Sequence, residues 1–144
     1  MNIKADTTDV MERLKHSIVE DLRLFDDQDR IDFLNELKSF LHEISPLAAQ
    51  PVDLVEWVDV DKVEANNYNP NSVASKEMEL LHTSIKHDGY TQPVVTIHDQ
   101  KNDKYIIIDG FHRYFTCKNA ADIRAANMGR LPVVVLQKNM NERM

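Results

Sequence analysis

Between Thr7 and Ser45 the chain has neither glycine nor proline, and its apolar residues recur at helical spacing: Val10, Leu14, Ile18 and Leu22, then Ile31, Leu34, Leu37, Phe40, Leu41 and Ile44. That periodicity predicts two amphipathic helices. Asp26-Asp27-Gln28-Asp29 between them supplies turn and N-cap chemistry, so the pair reads as a helical hairpin. Ser45 to Pro51 interrupts the pattern with two prolines, which sets the expected boundary between an N-terminal extension over 1–50 and a domain over 51–144. An apolar stripe on an isolated hairpin has to be covered by the domain, by a second copy in a homodimer or by another protein.

Beyond the boundary the period changes from helical to alternating. Trp57-Val58-Asp59-Val60 reads as a strand, and Asn66 to Asn71 as a loop of residues that hydrogen-bond their own backbone. A helix is expected from Ser75, its N-cap, with Met78, Leu81 and Ile85 as the apolar face and Gly89 as a left-handed terminator. Val94 to Ile97 and Tyr105 to Ile108 are expected to pair across a polar connection, His98 to Lys104. A helix from Phe111 to about Ala121 follows, and Gly129 and Pro132 bracket a last strand, Val133 to Leu136. The sum is an α+β fold, a small mixed sheet with packed helices.

Composition narrows the function classes. A chain of 144 residues that is 42% hydrophobic suits one domain with an appendage. A formal net charge of -7 gives no footprint for the phosphate backbone of nucleic acid, so direct DNA binding is disfavoured. No apolar run is long enough to span a bilayer and the N-terminus has no secretory apolar core, which makes the cytoplasm the expected compartment. Cys117 is the only cysteine, so an intrachain disulfide and a thiolate metal cluster are both excluded. His82, His87 and His98 lack metal-ligand spacing and read as surface or packing residues.

The chemistry concentrates at Tyr105 to Tyr114, YIIIDGFHRY. Three isoleucines favour a buried strand, and Asp109-Gly110 turns the chain directly into a helix that opens with His112 and Arg113. A helix start offers unpartnered N–H groups and the positive end of the dipole, and an adjacent guanidinium adds a fork shaped for phosphate oxygens. The simpler alternative is a plain turn with solvated His112 and Arg113.

Tyr68-Asn69-Pro70-Asn71, Asp88-Gly89-Tyr90-Thr91-Gln92-Pro93 and Asp109-Gly110-Phe111-His112-Arg113-Tyr114, in that order, resemble the N-terminal domain of the ParB and sulfiredoxin superfamily over residues 52–137. Within it they look like the immunoglobulin-binding regulator B type, whose relatives accompany proteins similar to phosphoadenosine phosphosulfate reductases. The resemblance implies a nucleotide (ATP, ADP or CTP) with Mg²⁺. It makes Gly110, His112, Arg113, Ser84, Asn69, Asn71 and Gln92 the binding residues, Asp109 and His112 the catalytic ones, and Asp109 the metal contact. Asp-Gly-Phe-His-Arg is also similar to the Asp-Gly-His-His-Arg turn of free-serine kinases. Two activities follow as expectations: hydrolysis or transfer of a phosphoryl group, or a non-catalytic adaptor role related to transcription. Phe111 occupies the position of the sulfiredoxin cysteine and cannot act as a nucleophile, which argues against sulfinic acid reduction. The chain also lacks the arginine that chromosome-partitioning members carry near the Asn-Pro loop.

Overall fold

The computed structural model describes residues 3–65 and 75–136, with side chains from residue 7 onward. Asn69 and Asn71 lie outside the described residues. The chain divides into two compact units, residues 1–34 and 35–144.

The first unit holds α1 (Ile3–Leu22) and the opening turns of α2 (Asp27–Glu43). As the aspartate cluster predicted, Asp26 caps α2: its carboxylate accepts the N–H of Asp29 at 2.8 Å, and its carbonyl accepts that of Arg30. Phe25 meets Phe33 edge to face across this start, with ring centroids 5.8 Å apart. Of the apolar stripe in this unit, Val10, Leu14 and Leu34 are exposed and Ile18, Leu22 and Ile31 are half-buried.

Among the described residues the second unit is a five-stranded mixed sheet in the order β1-β5-β3-β4-β2, with the last turns of α2 and three further α-helices. Its strands are β1 (Glu56–Asp59), β2 (Val63–Glu64), β3 (Val94–Asp99), β4 (Lys104–Asp109) and β5 (Arg130–Leu136). β1–β5 and β3–β4 pair antiparallel, while β3–β5 and β2–β4 pair parallel. The helices are α3 (Ser75–Asp88), α4 (Phe111–Asn119) and α5 (Ala121–Ala126). Val94, Leu131 and Val133 of the sheet are fully buried, and Ile85, Cys117 and Ile123 bring one residue of each helix into the same core. Among the described residues no helix is long and apolar enough to cross a membrane.

Most predicted elements are present, with three differences. The helix after the motif is two helices, because Ala120 adopts an extended conformation between α4 and α5. β5 begins three residues before the expected Val133, and Pro132 lies inside it opposite Trp57. The missing proline N–H is tolerated because both main-chain polar groups of Trp57 are satisfied from outside the sheet. Asn35 donates to the Trp57 carbonyl at 2.8 Å and accepts its N–H at 2.9 Å, and Arg130 adds a third bond at 3.1 Å. Finally, Val60, expected as the last residue of the first strand, instead opens a 3-10 turn, Val60 to Lys62, before the short β2.

Candidate anion-binding turn

The sheet delivers the turn with a built-in irregularity. Thr96 pairs with Ile107 and Val95 with Asp109, so Ile108 is an extra residue, a β-bulge one position before Asp109. A bulge reverses which face the following side chain takes, which here re-aims Asp109. Gly110 then takes φ +105, a left-handed conformation that strains any residue with a Cβ, and stands as the N-cap of α4 without a side-chain cap. The first helical bond runs from Tyr114 N–H to the Gly110 carbonyl, so the amides of His112 and Arg113 have no intrahelical acceptor.

Arg113 folds back under this turn rather than extending into solvent. Its Nη1 donates to Gln92 Oε1 and its Nη2 to the Pro93 carbonyl, both at 3.3 Å, and Nη2 stands 4.0 Å from Asp109 Oδ2. Among the described residues its Nε is buried with no hydrogen-bond partner. The space beside Gly110 is what admits the guanidinium: a Cβ there would lie 2.8 Å from Nη2 and 3.2 Å from the Val94 Cα. The side chain of Arg113 is 23% exposed and that of Asp109 is 79% exposed, so a half-sheltered cation sits beside an open carboxylate.

The helix is fixed at both ends. At its start, the Tyr90 hydroxyl donates to the Arg113 carbonyl at 2.7 Å. Burial, and then the neighbouring Cys117 thiol, push the Tyr90 hydroxyl well above its ordinary titration range, so it stays a donor. At the far end, Asp61 takes Lys118 on one carboxylate oxygen and Arg124 on the other, each at 2.7 Å. The Lys118 hydrogen bond, and next that of Arg124, hold its carboxyl below the usual carboxylate range.

The structure thus brings Gln92, Asp109, Gly110, His112 and Arg113 to one turn. His112 is half-buried, its ring 6.0 Å from that of Phe111. Ser84 lies on α3 and is exposed. Among the described residues no three His, Cys, Asp or Glu side chains converge as a metal site, so Asp109 is a single carboxylate. Such a group holds Mg²⁺ only when phosphate oxygens complete the shell. Cys117 is fully buried, with its thiol toward the Arg130 carbonyl at 3.6 Å. Burial raises the pKa of that thiol and keeps it inert. The three histidines pair with neighbouring carboxylates, His82 with Asp122, His87 with Asp88 and His98 with Asp103. Tyr90 was not legible as a site residue, since a tyrosine in a turn carries no spacing signal toward a carbonyl 23 residues later.

The uncharacterized protein YbdM of Escherichia coli (strain K12) is 39% identical over 134 residues, covering 93% of this chain and 64% of its own length. The chain therefore spans less than two thirds of that relative. Among solved structures, the C-terminally truncated chromosome-partitioning protein ParB of Caulobacter crescentus, complexed with CTP-gamma-S, gives a TM-score of 0.47 at 18% identity, covering 60% of this chain and 46% of its own. C-terminally truncated SbnI of Staphylococcus aureus gives 0.44 at 25% identity, covering 58% of this chain and 31% of its own. The ParB N-terminal domain matches residues 42–143, most of the chain, and the protein belongs to that family.

Proposed function

We propose that the chain is a nucleotide-binding protein whose α4 turn holds the phosphates. The His112 and Arg113 amides, the Arg113 guanidinium and the His112 ring are the ligands, with Gly110 allowing close approach. One observation carries the reading: an uncapped, left-handed helix start stands over a half-sheltered guanidinium whose Nε is buried without a partner among the described residues and whose two bonds to neutral acceptors are long. Phosphate oxygens suit that set better than Gln92 and a carbonyl do, because a bond between two ions is roughly twice as strong as a neutral one. Ser84, Asn69 and Asn71 join the proposal through family membership. Mg²⁺ would arrive on the phosphates, with Asp109 as its protein ligand, and would neutralise phosphate charge. Hydrolysis or transfer of a phosphoryl group would fall to Asp109, which is open to solvent beside Arg113, with His112 as the proton carrier.

The test is a calorimetric titration with ATP, ADP, AMP and CTP, with and without Mg²⁺, assaying the same samples for product. Binding with product makes the protein an enzyme; binding without product leaves a nucleotide-responsive module. A second reading, a regulatory adaptor, is favoured by the exposed Val10, Met11, Leu14 and Val19 of α1. Its partner would be an enzyme similar to phosphoadenosine phosphosulfate reductases, or a second copy. Deleting residues 1–25, which removes α1 and leaves the Asn35 tie to Trp57 in place, should then abolish partner capture and spare nucleotide binding.

A further inference from the structure

We propose that Tyr90 is a positioning residue for the anion-binding turn and acts through Arg113. This rests on the nucleotide reading above. Tyr90 follows Gly89, which ends α3 at φ +79, and its ring stands edge to face against Trp57 at 6.5 Å. From that anchored position its hydroxyl reaches the Arg113 carbonyl at 2.7 Å. The same four-residue stretch then takes both ends of the guanidinium, Nη1 through Gln92 and Nη2 through the Pro93 carbonyl, each at 3.3 Å. Arg113 is therefore gripped at its backbone and at its fork by one segment.

The grip is not required to form the helix. A carbonyl in the first turn of α4 already has an amide four residues on to accept, so the tyrosine bond adds a tie between elements. What it fixes is the rotation and depth of the first turn of α4 against the start of β3. That rotation sets where the His112 and Arg113 amides aim and how far the guanidinium stands from Asp109. Displacements well under an ångström matter for charge-assisted bonds, whose strength falls steeply with distance and angle.

The experiment uses the full chain carrying Tyr90→Phe, which keeps the ring and its packing. Three readouts are needed: affinity for CTP and ATP with Mg²⁺, the NMR signal of the Arg113 Nε–H without ligand, and the melting temperature. Binding should weaken about three- to tenfold, the size of one hydrogen bond. The Arg113 Nε–H should shift and exchange faster with solvent. Tyr90→Phe combined with Arg113→Ala should cost less than the sum of the two single losses, because the part of the tyrosine's effect that runs through the guanidinium is already gone while its tie to the carbonyl of residue 113 persists. Gln92→Leu, which removes a different contact of the same segment, should move the Nε–H signal in the same sense, so the test survives poor folding of either variant.

Unchanged affinity with an unchanged Nε–H signal, or losses that add in the double variant, would overturn the proposal. A melting temperature that falls while affinity and the Nε–H signal stay put would make Tyr90 purely structural, and would overturn it too. If wild type binds no nucleotide, the nucleotide reading fails on its own. The Nε–H arm then still decides whether Tyr90 sets the pose of Arg113.

Discussion

Two helix starts in this molecule solve the same problem in opposite ways. At α2 the chain supplies its own anion: the Asp26 carboxylate accepts the Asp29 amide at 2.8 Å, and the start is closed. At α4 the N-cap is a glycine with no side-chain cap, and the residue brought closest is the cation Arg113. A capped start is satisfied by folding, whereas an uncapped one with a guanidinium beneath it is left open to an anion. Net negative charge on the whole chain does not erase this local positive turn, because the field at a helix start is dominated by groups within the first turn.

The difference can be broken most severely at Gly110. Gly110→Ala combines a left-handed φ with a Cβ 2.8 Å from Arg113 Nη2 and 3.2 Å from a backbone atom, and should cost roughly 1–3 kcal/mol of stability. It should also weaken nucleotide binding more than tenfold; denaturant titration and calorimetry on the same variant check both. Asp26→Ala should cost about 1 kcal/mol and leave nucleotide affinity unchanged, since the closed start takes no ligand. If Asp26→Ala weakened binding as Gly110→Ala does, the contrast between the two starts would be lost.

Alkaline pH sharpens the comparison next. Tyr90 titrates above its ordinary value of 10.0 in the folded chain, so the folded state keeps a proton that the unfolded state releases. Its contribution is complete below pH 10.0 and is lost as pH rises toward the folded value. Tyr105 shifts in the same direction, chiefly through burial, so Tyr90→Phe should flatten the alkaline loss in part. A stability curve between pH 8 and 11, about where the phenol group ordinarily titrates, reads this directly.

The smallest effect belongs to Glu56. Burial raises its pKa despite Lys38, His98 and His42, so its ionised form opposes folding at neutral pH. Glu56→Gln should raise the neutral-pH melting temperature slightly, and the difference from wild type should shrink on acidification as Glu56 takes up its proton. A lower melting temperature at pH 7 would mean that Lys38 and the two imidazoles outweigh the burial.

Much of the second unit was legible because local chemistry and tertiary context agree there. Ile106 to Ile108 lies in a strand, although Ile106 and Ile107 are half-buried and Ile108 exposed where a buried strand was expected, Gly89 takes the left-handed conformation expected of it, and Asp109-Gly110 turns the chain into a helix. What escaped the sequence depended on partners distant in the chain. Ala120 breaks the helix with no proline or glycine to announce it, while Asp61 ties the helices on either side of that break to the 3-10 turn. Pro132 reads as a strand breaker until Asn35, nearly a hundred residues earlier, is seen to take the polar groups of the residue opposite it. The bulge at Ile108 leaves no mark in a run of three identical residues. At the site, Gln92 and Arg113 were legible as members of a resembling motif, but the inward fold of the guanidinium and the role of Tyr90 were not, since both depend on where α4 meets the start of β3.

The central claim is that the α4 turn, through Arg113, holds nucleotide phosphates. Calorimetric titration of wild type and Arg113→Ala with CTP and ATP in the presence of Mg²⁺ tests it most directly. The account predicts saturable binding to wild type and a loss of at least tenfold on removing the guanidinium, about 1.4 kcal/mol or more. Nucleotide affinity that is the same in both proteins would contradict it.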